Sequence, residues 1–350
     1  MSKDDKVTLV PKTVFDTDTY APRDRFKAWR NSIGVIFDCS LYDQTDPCYF
    51  HAKLTAAMLG PVFCGRLVSQ AQQFERPQSK IIADGLDHLL IQVFRSGSGE
   101  VEVSGAQNSV RPGDIYIMDA SAPLKAVDYE FDNVTMVIPR DIIADRLTRP
   151  DEHHKRIISG SNPLAKLLYD YMLSLDQQTG SMSIEEAELA IEPFLSLTGS
   201  LLNHHALGHP AEVDKLSVDA AMLASIKRFI EENLSNQALS PDMICANLGL
   251  SRSRLYRLFE TLGGVSNYIR HRRLRRSLRD VVDENQRTVL IKAIAHRWGF
   301  RSESDFSRIF KRHYGVSPND ARNAHMIHSH APSGGHQIAE YEQWLRNLAR

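Results

Sequence analysis

Two segments of this chain carry arginine, serine and tyrosine side chains at matched helical spacing. Positions i, i+3 and i+4 share one face of a helix, and these side-chain types can hydrogen-bond to the exposed edges of nucleic-acid bases. An arginine on such a face can pair bidentately with guanine O6 and N7, or grip a phosphate. The candidate base-reading residues are Ser253, Tyr256 and Arg257 in the first segment, and Glu303, Ser304, Ser307 and Arg308 in the second.

The two faces belong to a motif that is written twice, with its copies 51 residues apart. Residues 251–266 read SRSRLYRLFETLGGVS, and residues 302–317 read SESDFSRIFKRHYGVS. A small residue and a glycine four positions later precede each copy, at Cys245 with Gly249 and at Ala295 with Gly299. A glycine turn followed by a serine-capped helix is the plan of a helix-turn-helix. The repeat predicts such units at residues 240–261 and 289–312, serving two adjacent segments of DNA.

A basic stretch joins the two copies. Residues 267–282 read NYIRHRRLRRSLRDVV and predict a helix with a partial apolar face surrounded by arginines. We expect phosphate contacts from some of these arginines and structural ion pairs from others. The candidate phosphate contacts across both copies and this helix are Arg252, Arg254, Arg272, Arg273, Arg276 and Lys311.

Charge is distributed unevenly along the chain. Residues 212–322 hold 20 Lys and Arg against 13 Asp and Glu, although the whole chain has a net charge of −1. The C-terminal region is basic and the rest of the chain is acidic, which indicates that only the C-terminal region binds a polyanionic partner. The sequence shows neither an apolar segment of membrane-spanning length nor a secretory signal, which favours a cytoplasmic protein without membrane partners.

The N-terminal region has a different pattern. Short strand-like runs separated by Gly, Pro and Asp turns extend over about residues 49–140 and predict a sandwich or small barrel. Two amphipathic helices over about 162–205 follow, and their apolar stripes suit packing on the barrel, a dimer interface, or both. The predicted organisation is α+β: a domain at 1–205, a linker at 206–218, a helical domain at 219–322 and a tail at 323–350, whose role the sequence does not reveal.

The C-terminal motifs resemble those of the AraC/XylS family of bacterial transcription regulators. The resemblance covers about Asp219–Arg322 and rests on the two copies together with the closing Tyr314-Gly-Val-Ser-Pro318. Phe26-x-x-Trp29, the Arg111–Ile115 run and Val137–Arg140 are similar to the cupin-like sensing domain of one branch of the family. The resemblance implies seven C-terminal helices, two recognition helices in successive major grooves, and an N-terminal barrel that binds a small effector or mediates dimerisation.

Partners and alternatives follow from this resemblance. It implies an effector-responsive activator that binds double-stranded promoter DNA as a homodimer and contacts RNA polymerase. One alternative is an N-terminal domain that only dimerises or binds a partner protein. Another is a cupin enzyme, which would need a His-x-His metal site. The strand at His88 has a single histidine and none follows Pro112-Gly113-Asp114, so we expect no metal, no cofactor and no catalysis. Weak candidates for effector contacts are Trp29, Arg66, His88 and Tyr116.

Overall fold

The N-terminal half is built around an antiparallel sheet. A computed structural model of the protein describes residues 8–43, 46–103, 105–206, 213–329 and 340–348. Its strands are β1 (Lys12–Asp16), β2 (Asp38–Leu41), β3 (Ala52–Leu59), β4 (Val62–Ser69), β5 (Gln72–Arg76), β6 (His88–Val103), β7 (Ala106–Val110), β8 (Ile115–Asp119), β9 (Leu124–Pro139) and β10 (Arg156–Ile158). The order through the sheet is β1-β3-β4-β9-β6-β8-β10, with β5 pairing β2 and β9, and β7 pairing β6.

The helices divide between the two halves of the chain. The first group is α1 (Arg25–Ile33), α2 (Gln78–Asp84), α3 (Arg140–Ile143), α4 (Pro163–Gln178) and α5 (Ile184–Ala206). The second group is α6 (Val213–Glu232), α7 (Pro241–Leu248), α8 (Arg252–Phe259), α9 (Val265–Val282), α10 (Ile291–Arg297), α11 (Glu303–Tyr314), α12 (Pro318–Ser329) and α13 (Glu340–Leu348). The predicted α+β class is confirmed, and α6–α12 supply seven helices within the described C-terminal region.

Strand alternation creates two apolar cores on opposite faces of the sheet. On β6, Leu90 and Phe94 point into the core enclosed by the sheet and α1, while Leu89, Ile91 and Val93 point to the other face. Helices α4 and α5 cover that second face through their apolar stripes. Packing of both helices on their own sheet is therefore confirmed.

Capping residues set the starts of these two helices as the sequence predicts. Asn162 accepts hydrogen bonds from the amides of Leu164 and Ala165 at the start of α4. Ser183 and Glu186 form a reciprocal capping box at α5, with N–O distances of 2.8 and 3.1 Å. Local side-chain chemistry is therefore sufficient to place these boundaries.

The predictions for strands and connections need correction. The strand-like runs at 88–94 and 100–103 are parts of one 16-residue strand, β6, which pairs with the equally long β9. The predicted linker at 206–218 is helical from Val213, and residues 207–212 lie outside the described part. The tail includes the end of α12 and a short helix, α13, while residues 330–339 lie outside the described part.

Helix α13 packs against the N-terminal domain although it follows the C-terminal domain in sequence. Its Tyr341 and Leu345 belong to the inner core of the sheet and are 0% and 2% exposed. The Tyr341 ring contacts the rings of Phe15 and Phe63 at centroid distances of 6.4 and 6.5 Å. The tail therefore completes the wall of the first domain.

Candidate DNA-binding surface

The first repeat forms a helix-turn-helix from α7 and α8. The Ser240 side chain accepts from the amide of Met243 and begins α7, which ends at Gly249 in the left-handed conformation (φ 64°). Only glycine adopts that conformation without steric cost, so it permits the tight turn. Ser251 then accepts from the amide of Arg254 at 3.3 Å and begins α8. Leu255 and Phe259 are fully buried and fix the inner face of α8.

The second repeat builds the same unit from α10 and α11. Gly299 adopts a left-handed conformation (φ 72°) in the turn. Ser302 accepts from the amide of Asp305 at 3.1 Å and begins α11. Phe306 and Phe310 are fully buried at the positions that match Leu255 and Phe259. The two copies therefore share one set of anchors, and each leaves its opposite face available.

The candidate base-reading residues lie on those opposite faces. On α8, Ser253 is exposed, Tyr256 is 50% exposed and the Arg257 side chain is 63% exposed. On α11, Glu303 and Ser304 are exposed, Ser307 is half-buried and the Arg308 side chain is 69% exposed. The structure thus gathers each set on one accessible surface.

The two arginines on these surfaces, Arg257 and Arg308, each form an ion pair with a nearby aspartate. Arg308 donates to Asp305 at 2.6 Å, one turn earlier on α11. Arg257 lies 4.0 Å from Asp219 on α6. These pairs are solvent-exposed, so they cost little to exchange for a nucleic-acid contact.

Three of the phosphate candidates are also accessible or half-exposed. Arg252 is 70% exposed and pairs with Asp242 at 2.6 Å. Arg254 pairs with Asp219 at 3.0 Å and is 35% exposed, and Lys311 is exposed at the end of α11. These three positions flank the base-reading faces, where phosphate groups would lie if the helices entered the groove.

Arg272 does not offer its guanidinium to solvent, contrary to the prediction. It is 2% exposed, and its Nε donates to Glu231 of α6 at 2.5 Å. Burial opposes its charge, but the adjacent Glu231 carboxylate outweighs that effect and raises the pKa of Arg272. Arg272 and Glu231 form an internal ion pair that joins α9 to α6, because the Arg272 side chain lies on the face of α9 that is directed into the domain.

Arg273 also has a structural role in place of the predicted phosphate contact. Its guanidinium donates to the carbonyl oxygens of Leu234, Asn236 and Gly299 at 3.0, 2.6 and 3.0 Å. A Cβ at Gly299 would lie 2.6 Å from that guanidinium, so a larger residue would displace Arg273 from these carbonyl groups and would also strain the φ angle. Arg273 therefore ties the turn of the second repeat to the segment before the first.

Three further arginines of α9, Arg275, Arg276 and Arg279, face the N-terminal domain. Arg276 lies 3.3 Å from Glu231 and 3.9 Å from Asp141, which also lies 3.9 Å from Arg279. Arg275, which was not among the candidates, pairs with Asp151 at 2.7 Å and lies 3.6 and 3.8 Å from Asp87 and Asp119. The basic helix therefore docks on acidic groups of its own chain, and the predicted phosphate contact of Arg276 is not supported.

A buried arginine organises those acidic groups. Arg140 is 3% exposed and donates to Asp87, Asp119 and Asp151. Burial would raise the pKa of Asp87, but the charges of Arg140 and Arg275 outweigh it and hold that pKa well below its usual range. The carboxylates are thus ionised and shared by one arginine from each domain. They come from three separate loops and strand ends, so no local sequence pattern could have revealed the cluster.

Of the four weak effector candidates, Tyr116 lines a cavity of about 80 Å³ inside the N-terminal domain. Trp29 is fully buried and donates to Gln72 at 2.7 Å, while Arg66 pairs with Asp132 at 2.7 Å. His88 is 3% exposed, and burial lowers its pKa to about 4. These three residues are not among those that line the cavity.

Sequence reasoning missed other residues of this cavity. They include Gln92, Asp128 and Asn133 of the sheet, and Tyr341 and Leu345 of α13. Strand alternation can place the sheet residues on an inner face, but Asp128 lies in a part of β9 where polar residues interrupt the apolar pattern. The contribution of α13 depends on a long-range contact that its sequence does not encode locally.

One group of side chains in the described residues has a geometry that could hold a metal ion. It consists of Asp16, Asp18 and His51 on the surface. These groups already pair, with His51 3.0 Å from Asp18, Lys53 3.0 Å from Asp16 and Arg25 3.1 Å from Asp18. They lie apart from the cavity, and none is a lining residue.

Among the described residues, no helix is both long and apolar enough to span a membrane.

Comparison with known proteins assigns both halves of the chain. A family described as "Helix-turn-helix domain" matches residues 244–324, and one described as "AraC-binding-like domain" matches residues 29–203. The transcriptional activator NphR of Rhodococcus sp is 25% identical over 295 residues, which cover 81% of this chain and 86% of NphR. The multiple antibiotic resistance protein MarA of Escherichia coli (strain K12) is 30% identical over 116 residues, which cover 33% of this chain and 88% of MarA.

A solved structure agrees with this assignment. The crystal structure of the AraC-like transcriptional activator CuxR superposes with a TM-score of 0.54 at 27% identity, covering 75% of this chain and 94% of CuxR. The chain belongs to the AraC family of DNA-binding transcription regulators.

Proposed function

We propose that this protein is an effector-responsive transcription activator that inserts α8 and α11 into successive major grooves of promoter DNA. The observation that carries the proposal is the pair of capped helices with matched buried anchors and matched exposed arginines, Arg257 and Arg308. A major groove admits one helix, and two such helices read adjacent segments. NphR and CuxR are both described as activators, which supports activation here.

The divergent residues of the two faces would give the helices different base preferences. We propose Ser253, Tyr256 and Arg257 as base readers on α8, and Glu303, Ser304, Ser307 and Arg308 on α11. Arg252, Arg254 and Lys311 are the proposed phosphate contacts. A carboxylate at Glu303 can accept from a cytosine amino group, whereas Arg252 at the matching position cannot.

The N-terminal domain is the proposed effector sensor. Its cavity has mainly apolar walls with a few buried polar groups, which is the usual character of a small-molecule site. We propose a sensing role in place of catalysis, because the relatives are regulators and the possible metal ligands lie apart from the cavity.

The proposed partners and location follow from the activator role. Homodimerisation could use Leu167 of α4 and Leu189 of α5, which are 57% and 75% exposed on the outer helical layer. Contact with RNA polymerase and a cytoplasmic location would follow from action at a promoter.

Selection of binding sites from genomic fragments tests the DNA-reading proposal. The full-length protein should enrich a bipartite site. Arg308→Ala should lose about 1–3 kcal/mol of specific binding and relax preference in one half-site, and Arg257→Ala should do the same in the other.

Arg23→Ala is the matched control, because Arg23 is 85% exposed in the N-terminal domain. It should bind like the wild type. A uniform loss across all sequences would make Arg308 a phosphate contact. Unchanged binding in both test variants would refute the docking proposed for α8 and α11.

A further inference from the structure

The cavity of the N-terminal domain combines apolar walls with one buried carboxyl group. Its volume is about 80 Å³, roughly half that of the ~150 Å³ engineered cavity that holds benzene, so it suits a compact ligand and must widen to take a ring. Apolar side chains supply most of the wall, including Phe63, Phe74 and Met118. Tyr341 and Leu345 of α13 close one side, so a ligand with a ring requires these two side chains to shift.

The polar groups of the cavity lie together on adjacent strands. Gln92 of β6 stands opposite Tyr116 of β8 and opposite Thr135 of β9. Residues opposite each other in a sheet share a face, so these three side chains form one row across the cavity wall. The Tyr116 side chain is buried, and its hydroxyl has no hydrogen-bond partner among the described residues. An unsatisfied buried hydroxyl is costly and is a natural contact for a ligand.

Of the residues that the structure describes, Asp128 alone brings a carboxyl group to the cavity wall. It is 7% exposed, and within the described parts of the chain its pKa is set by burial and by Gln92, with no contribution from Lys, Arg or His. Gln92 is its hydrogen-bonding neighbour, and burial raises the pKa of Asp128 to about 7. A Cβ at Gly99 would lie 2.6 Å from Asp128 Oδ1, so the facing strand has a glycine where the carboxyl group needs room.

A buried carboxylate is stable only when an opposite charge or several donors compensate it. Among the described residues that line the cavity there is no lysine, arginine or histidine, so only protonation of Asp128 or a bound cation can neutralise this charge. An anionic ligand would meet Asp128 without any balancing cation. A cationic ligand would instead pair with Asp128 and could donate to the oxygens of Gln92, Tyr116 or Asn133.

We propose that the cavity binds a compact, mainly apolar molecule that carries one protonated amine, with its ammonium group paired to Asp128. The inference rests on the proposed sensing role of the N-terminal domain and adds the chemical class of the effector. Aromatic walls favour the same ligand class, because ring faces attract cations.

A matched set of probes tests the inference on the full-length protein. Benzylamine, benzyl alcohol and benzoate share a ring but differ in charge, and calorimetric titration at neutral pH measures their binding. Benzylamine should bind most tightly, and Asp128→Asn should weaken it about tenfold or more, because an ionic hydrogen bond is lost. Asp132→Asn is the control, since Asp132 lies on the same strand but pairs with Arg66 outside the cavity.

Each other outcome overturns the inference. Equal or tighter binding of the alcohol would show that Asp128 accepts from a neutral donor, and preferred binding of benzoate would contradict the electrostatic argument. Absence of benzylamine binding, or binding unchanged in Asp128→Asn, would also refute it. A thermal melt of Asp128→Asn verifies folding, because an amide replaces a buried acid of similar shape. Sequence-specific DNA binding by the same preparations shows whether only the ligand class, or the regulator function itself, has failed.

Discussion

The hydroxyl of Tyr341 lies 2.6 Å from Oγ of Ser32, although 309 residues separate them in the chain. Ser32 is on α1 of the N-terminal domain, and Tyr341 is on α13, which follows the DNA-binding domain. Both residues are fully buried, and Glu342 also accepts from Ser32. The last helix is therefore part of the wall around the proposed effector cavity, and the chain connects that wall to the helix-turn-helix region.

Loss of the Tyr341 side chain should destabilise the N-terminal domain. Tyr341→Ala removes a fully buried aromatic group and should lower the free energy of unfolding by about 3–5 kcal/mol. Urea denaturation of the full-length protein measures this change. Gln343→Ala is the control, because Gln343 is exposed on the same helix. Equal stability of the two variants would mean that α13 does not pack on the sheet in solution.

Variants of Arg272 and Lys311 should distinguish a residue that stabilises the fold from a residue that contacts DNA. Arg272→Ala removes the closer of the two arginines that pair with Glu231 and should cost about 1–3 kcal/mol of stability, with no change in the salt dependence of DNA binding. Lys311→Ala should leave stability within about 0.5 kcal/mol but lower the slope of log K against log salt by about 1. Denaturation and DNA titrations at several salt concentrations supply both readouts. The interpretation of α9 as an internal element fails if Arg272→Ala lowers the salt slope.

Acidification should destabilise the protein through His88. Burial lowers the folded-state pKa of His88 to about 4, while an unfolded histidine titrates near 6.5. Between these values the unfolded chain binds the extra proton, so this contribution to stability is complete above about pH 6.5 and is lost as the pH falls toward 4. From pH 7 to pH 5 the loss is about 2 kcal/mol.

Comparison of His88→Gln with the wild type isolates that contribution. The variant should lose less stability on acidification, and denaturation curves at pH 7 and pH 5 measure the difference. His296→Gln, at an exposed position of α10, controls for the loss of a histidine as such. A pH dependence identical to the wild type in His88→Gln would show that His88 is not buried in its neutral form.

The sequence alone determined the parts of this protein that local chemistry defines. Serine caps, glycine turns and buried Leu and Phe anchors repeat within short segments, so α7–α8 and α10–α11 were predictable. The outward positions of Arg257 and Arg308 followed from helical periodicity, because their helices pack through a single face. The same reasoning predicted the capped starts of α4 and α5.

Tertiary structure decided which charges are used internally. The sequence shows six arginines on α9 but does not show that Asp87, Asp119 and Asp151 meet them, since those residues come together only when the sheet forms. For the same reason the sequence does not show that Arg272 donates to Glu231 or that Arg273 donates to backbone carbonyl groups. The cavity, its Asp128 carboxyl group and its cover of α13 also depend on contacts between distant segments, because the space exists only after the elements that surround it have packed.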